Sequence, residues 1–174
     1  MTMNISRRLG CLGIASALGL GLATAISTPS AWADQNTHTF VLNQQPPSLR
    51  PIDGGAVGPS TGDILLFEAP LTGEQGESGM LTGFLITADT PDGETGDLDA
   101  DRLGQLSYDL GNGNTLVAIG HTSYRSENVE MTANLPQLRV VAGGTGSFIG
   151  ARGQVTTTRI SDGTYRHEFT LIDG

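Results

Sequence analysis

Val140-Val141-Ala142-Gly143-Gly144-Thr145-Gly146-Ser147-Phe148-Ile149-Gly150-Ala151-Arg152-Gly153 decides the fold. An apolar strand runs into a glycine-rich turn, and a second strand opens on Ala-Arg-Gly. Glycine tolerates positive φ and lets backbones approach closely. Five glycines among the eleven residues from Gly143 to Gly153 therefore predict a tight corner between strands, with Phe148 as the large side chain that plugs it. The obvious competitor is a phosphate cradle. That requires Gly-x4-Gly-Lys-Ser/Thr ahead of a helix, and this chain has no lysine. The glycines also miss the dinucleotide-binding spacing, and Thr156-Thr157-Thr158 favours a strand over a helix.

Working outward, short apolar runs recur between clusters of Gly, Pro, Asn and Asp. No convincing amphipathic helix follows residue 33. The runs predict strands at 38–43, 64–71, 80–88, 103–110, 115–125, 137–142, 151–160 and 164–172, with a looser segment at 128–136. Residues 44–61, rich in Pro and Gly, read as a connector. Asp162-Gly163 between the last two strands is a strong hairpin signal. Turn chemistry at this spacing indicates an all-β protein. The prediction is a small closed antiparallel barrel of about eight strands, whose interior either fills with side chains or holds one small ligand. Alternation places Tyr165, His167, Phe169 and Leu171 on one face of the last strand.

Residues 1–33 read as a cleaved signal peptide. Arg7 and Arg8 precede an apolar run over 9–26, and Ala31-Trp32-Ala33 has the small-x-small form of a cleavage site. The protein is thus expected to be exported, to the periplasm or the extracellular space, with no membrane insertion after cleavage. Residues 34–61 would hold the first strand and the connector, and 62–174 the remainder of one barrel domain. Cleavage removes the only Cys and the only Trp, which excludes disulfides and thiolate chemistry. It leaves 18 acids against seven arginines, a formal charge of −11. Such a chain repels nucleic acid, so small molecules and other copies of the chain are the expected partners.

The glycine corner, with Gly62-Asp63-Ile64-Leu65-Leu66-Phe67-Glu68-Ala69-Pro70-Leu71-Thr72-Gly73, resembles the barrel family shared by plant allene oxide cyclases and dirigent proteins. Cyclases carry Gly-Asp-Leu-Val-Pro-Phe near the start of the barrel, and dirigent proteins carry Asp-Asp-Pro-Leu-Thr. The stretch over 79–89 resembles the family's following apolar strand, and 138–153 is more similar to the dirigent version, while Gln154-Val155 is closer to the cyclase version. The resemblance implies a hollow barrel that binds a small apolar or phenolic molecule and guides its cyclisation or isomerisation. It implies no metal and no organic cofactor, and a homotrimer. Holding one reactive conformer accounts for most of such catalysis.

Carried over by position, Glu68 stands where the dirigent aspartate does and would be the acid. Arg152 matches the dirigent arginine and would anchor an oxygen-rich substrate. Asn43 matches a cyclase asparagine and would orient the ligand. Val41, Ala69, Leu85 and Ser147 replace polar groups of the family pattern. From the residues alone, Tyr108, Tyr124 and Tyr165 could donate phenolic hydrogen bonds to a ligand, or be core aromatics. Glu68 could equally be a strand-end acid facing water, and Arg152 a structural ion pair. The rival to an enzyme is a non-catalytic ligand carrier or a structural module.

No metal is assigned. His38, His121 and His167 lack metal spacing, and catalytic zinc needs three converging ligands. Asp97-x-Asp99-x-Asp101 has the alternation of a calcium loop, but Arg102 stands where the sharp-turn glycine is needed. A solvated acidic loop over 89–101 is the reading.

Overall fold

The alternating runs form nine antiparallel strands. The computed structural model describes residues 36–91 and 98–172. The leader and Asp92, Glu94 and Asp97 of the acidic loop lie outside them. In chain order the strands are β1 (Thr37–Gln44), β2 (Ser48–Ile52), β3 (Ile64–Gly73), β4 (Ser78–Asp89), β5 (Asp99–Asp109), β6 (Thr115–Arg125), β7 (Gln137–Thr145), β8 (Gly153–Arg159) and β9 (Tyr165–Ile172). Each pairs with its sequence neighbour from β3 to β9, and β9 pairs with β1. Pairing of Leu42, Asn43 and Gln44 with Gly73, Thr72 and Leu71 then joins β1 to β3 and closes an eight-stranded barrel.

The ninth strand was not expected. Residues 48–52, inside the segment read as a connector, pair with the first half of β3. The chain bends over residues 45–47, where the Gln45 amide donates to the Pro70 carbonyl at 3.0 Å, and β2 takes over the edge that β1 leaves. Pro51 is compatible with this because β2 has a neighbour on one side only, and proline is tolerated on an edge strand.

The glycine corner is as predicted in kind. A single 3-10 turn, Gly146–Phe148, joins β7 to the link before β8. Gly146 sits at φ +61°. Gly153 opens β8 at φ +147°, and a Cβ there would run into the Thr170 carbonyl oxygen of β9. Phe148 is half-buried and packs its ring 6.1 Å from Phe40. Phe40 stacks on Phe169 at 4.7 Å, and Tyr108 meets Phe169 edge-on at 5.0 Å. This file of rings, with Leu42, Leu71, Leu81, Leu116 and Val155, fills the half of the lumen nearest the corner. The other half holds a smaller cluster of Leu85, Tyr124, Met131 and Tyr165.

Gly153→Ala is expected to lower the free energy of unfolding by about 2 kcal/mol, since the added methyl overpacks backbone that cannot yield. Gly150→Ala, at φ +81° with open space around it, should cost only about 1 kcal/mol, the ordinary left-handed penalty. Urea unfolding of the two variants beside the parent checks the difference.

Candidate functional site

In the less crowded half of the barrel, alternation turns Gln44, Leu85, Leu106, Tyr124, Arg139, Thr157, Tyr165 and His167 inward around a cavity of about 40 Å³. Two inward positions beside this space carry glycine, and the side chains of Leu85 and Arg139 lie over them. Gly104 pairs with Gly120 across β5 and β6. A Cβ on Gly120 would stand 3.2 Å from Cγ of Arg139. The arginine stem therefore lies over a position that only glycine leaves open.

His167 is the hub of the polar groups and is fully buried. Its Nε2 lies 2.9 Å from Gln44 Oε1. Its Nδ1 lies 3.0 Å from Thr157 Oγ1 and 3.2 Å from the Tyr108 hydroxyl. In the tautomer that fits the amide as placed, Nε2–H donates to Gln44 and Nδ1 accepts from a hydroxyl. Burial, reinforced by Arg139, pushes the His167 pKa down to about 3, so the ring is neutral at ordinary pH. Burial also raises the pKa of Tyr108, Tyr124 and Tyr165, which leaves three protonated hydroxyls.

Three charged side chains complete the site, each in a different situation. Arg102 donates to the carbonyls of Ala100 and Tyr124 at 3.2 and 3.0 Å, and to those of Ser126 and Asn128 at 3.5 and 3.4 Å. Its guanidinium also lies 3.9 Å from the centre of the Tyr124 ring. Glu130 accepts from the Tyr165 hydroxyl at 2.9 Å and pairs with Arg159 at 3.4 Å. Arg139 is 3% exposed, and its Nε and Nη1 have no hydrogen-bond partner. Thr122 Oγ1 and Arg159 Nε are likewise unpartnered.

Residues 126–136 cover this end of the barrel. The Tyr124 hydroxyl donates to the Val129 carbonyl at 3.3 Å, and Met131 is buried. Outside them lies a second cleft of about 280 Å³, which shares Leu65, Leu85 and Val129 with the inner cavity. Its rim is shaped by Asp63, which accepts from the Ser60 and Gly54 amides at 2.7 and 3.1 Å. These bonds hold the Asp63 carboxyl below the usual carboxylate range. Gly58-Pro59-Ser60-Thr61-Gly62 in this loop has the Gly-x-Ser-x-Gly spelling of a hydrolase elbow. It lacks the strand-to-helix context that the motif requires, and Ser60 Oγ bonds to Asp63 at 3.1 Å.

Among the residues proposed from sequence, Tyr124 and Tyr165 line the cavity. Tyr108 lies beneath it, against His167. The other three are not brought to the lumen. Ala69 and Leu71 are the inward residues of β3, so Glu68 between Phe67 and Ala69 is exposed on the outer wall. Arg152 is exposed in the link ahead of β8. Asn43 alternates outward between buried Leu42 and Gln44. The surroundings on which an acid–arginine pair of Glu68 and Arg152 rested are therefore absent at those positions. The lumen instead holds Arg139 and Glu130, which the sequence reading did not single out. The histidines are dispersed. His38 stacks on Phe40 at 5.7 Å, His121 sits on the outer wall 3.0 Å from Asp101, and His167 is in the lumen. Among the described residues no group of three His, Cys, Asp or Glu could hold a metal.

His167 has a pH signature. Its folded pKa of about 3 lies below the unfolded value of 6.5. Protonation therefore favours the unfolded chain, and stability present above about pH 6.5 falls as the pH drops toward 3. The slope approaches about 1.4 kcal/mol per pH unit. Between pH 7 and pH 5 this amounts to about 2 kcal/mol. Carboxylates titrate in the parent and in a variant alike, so His167→Gln should reduce the loss over that interval by about this amount. Denaturant titrations of both proteins at the two pH values measure it.

No family model matches the sequence, and no curated protein does either. Solved structures do match. A pyocyanin demethylase superposes with a TM-score of 0.58 at 18% identity, over 78% of this chain and 99% of the other. The Diels-Alderase AbmU from Streptomyces koyangensis gives 0.57 at 12% identity, over 83% and 72%. A pterocarpan synthase dirigent protein gives 0.48 at 18% identity, over 79% and 86%. At these identities the likeness to the first two is one of fold, and the fold of this chain is the closed antiparallel barrel expected from its sequence.

Proposed function

We propose that the barrel binds one small, largely apolar or phenolic molecule in the half of its lumen beneath residues 126–136, and guides its cyclisation or isomerisation. The observation that carries this reading is the division of the lumen. One half is filled by stacked rings and leucines. The other keeps a cavity lined by hydrogen-bonding groups and separated from an outer cleft by Leu65, Leu85 and Val129. A concave apolar space with a few convergent polar groups is the usual form of a small-molecule site.

The chemistry such a site supports is positioning. Neutral His167 and the tyrosines, titrating far from neutrality, are poor proton carriers at ordinary pH, because general acid–base catalysis works best with a pKa near the operating pH. They can still hold a flexible ligand in one conformer, which is the larger share of what a cyclisation needs. The demethylase and Diels-Alderase among the similar barrels are named for reactions of organic molecules, which supports the reading at the level of ligand type. The same lack of a proton carrier favours a second reading, a carrier that shields its ligand without turnover.

The leader motif supports export. The outer wall supports the homo-oligomer that the family resemblance implies. Leu103, Ile119, Leu138 and Val140 are exposed there, and Ile119 faces Val140 across the β6–β7 ladder.

Val129→Trp tests the site. Val129 is half-exposed, so the fold should tolerate the larger ring, which would crowd the boundary that cavity and cleft share. Mass spectrometry of the purified protein is expected to find a small molecule on the parent and at least tenfold less on the variant, with thermal unfolding unchanged. Equal occupancy in both would remove the lumen from consideration.

A further inference from the structure

Arg139 stands out because none of the described residues pairs with its charge. None of the ion pairs among the described residues includes it. Glu130, the acid that lines the same cavity, is engaged by Tyr165 and Arg159. Arg102, at similar burial, is satisfied by four carbonyls and an aromatic face. His167 is neutral. The guanidinium therefore sits in a closed, low-dielectric space with unpartnered donors at Nε and Nη1. A water molecule in the cavity can accept a hydrogen bond from it, but it leaves the charge uncompensated. A buried ion is stabilised only when both its charge and its hydrogen bonds are met, and an oxyanion meets both. The background sharpens the point, since the chain as a whole carries a formal charge of −9 and repels anions at its surface.

We infer that the ligand carries an anionic oxygen head, such as a carboxylate, which seats on Arg139 while an apolar tail passes between Leu65, Leu85 and Val129 into the outer cleft. This rests on the lumen being the ligand site, and it names the class of molecule the site takes. The sizes agree with the division of the ligand. The inner cavity of about 40 Å³ admits a head group, and the 280 Å³ cleft, with Pro51, Ile52 and Ile64 in its wall, receives the tail.

A matched pair of probes separates the parts of this inference. Isothermal titration at pH 7 should give 3-phenylpropionate at least tenfold tighter binding than 3-phenylpropanol, a modest value for a charge-assisted contact. Arg139→Met should erase the difference between the two probes. Without ligand, Arg139→Met should melt at the same temperature as the parent or higher, because it removes an unanswered buried charge. Arg139→Gln, which keeps polarity without charge, should also lose the preference. Equal binding of acid and alcohol by the parent overturns the anion assignment and leaves the lumen site standing. Binding of neither probe overturns both. A lower melting temperature in both variants, with the acid preference retained in either, would make Arg139 a structural residue and overturn the inference.

Discussion

Three residue pairs close this barrel. Leu42, Asn43 and Gln44 of β1 meet Gly73, Thr72 and Leu71 of β3, and the chain then bends away so that β2 occupies the rest of that edge. An open sheet would present unpaired amides and carbonyls along β1 and β3, a template for aggregation. The seam also sets up the site. Gln44 is its last inward residue, and its amide reaches His167, 123 positions along the chain. Thr157 of β8 and Tyr108 of β5 bond to the other ring nitrogen. Four strands from different parts of the barrel are thus tied at one imidazole, and loss of the seam would release the group that fixes the ring.

Where the barrel is full and where it is hollow follows from residue size on facing walls. Interiors pack to the density of organic crystals, so a void persists only where the surrounding side chains cannot collapse into it. Near the glycine corner, Phe40, Phe148, Phe169 and Tyr108 stack along the lumen with leucines around them. At the other end the paired glycines Gly104 and Gly120 remove side chains from one wall. Leu85 and the Arg139 stem lean across them, and the polar tips of the remaining residues are held apart by their own hydrogen bonds. A cavity lined by bonded polar groups does not close as an apolar one would.

Much of the fold was legible in the sequence because turn chemistry and strand alternation are local. The glycine corner, the Asp162-Gly163 hairpin and the inward set Tyr165, His167, Phe169 and Leu171 needed no knowledge of distant contacts. β2 was hidden because Pro51 and the surrounding glycines argue against a strand unless it is known to lie on an edge. The site was less legible for a different reason. Alternation separates two faces without saying which one is inside, and the outer wall of this barrel is itself apolar. In Gln137-Leu138-Arg139-Val140-Val141 the exposed positions are Leu138 and Val140, while Arg139 points inward. A pattern read by hydrophobicity assigns those faces the wrong way round. Glu68 and Arg152 were taken from family positions; strand parity places Glu68 outside, and Arg152 is exposed in the link ahead of β8. Glu130 lies in a loop, where periodicity has no bearing.

Arg102 and Arg139 show how differently one barrel can treat the same side chain. Both lie on the inner wall, and both are more than nine-tenths buried. Arg102 is met by carbonyls at the mouth of the barrel and by the Tyr124 ring, an arrangement that secures residues 126–128. Its charge is met by dipoles fixed by the fold and, at longer range, by the Asp63 carboxylate. Arg139 lies deeper, over Gly120, just past the point where the β6–β7 ladder ends at Ile119 and Val140. Its neighbours are hydroxyls and a neutral imidazole, which can donate or accept but carry no charge. Among the described residues no acid pairs with the guanidinium held there.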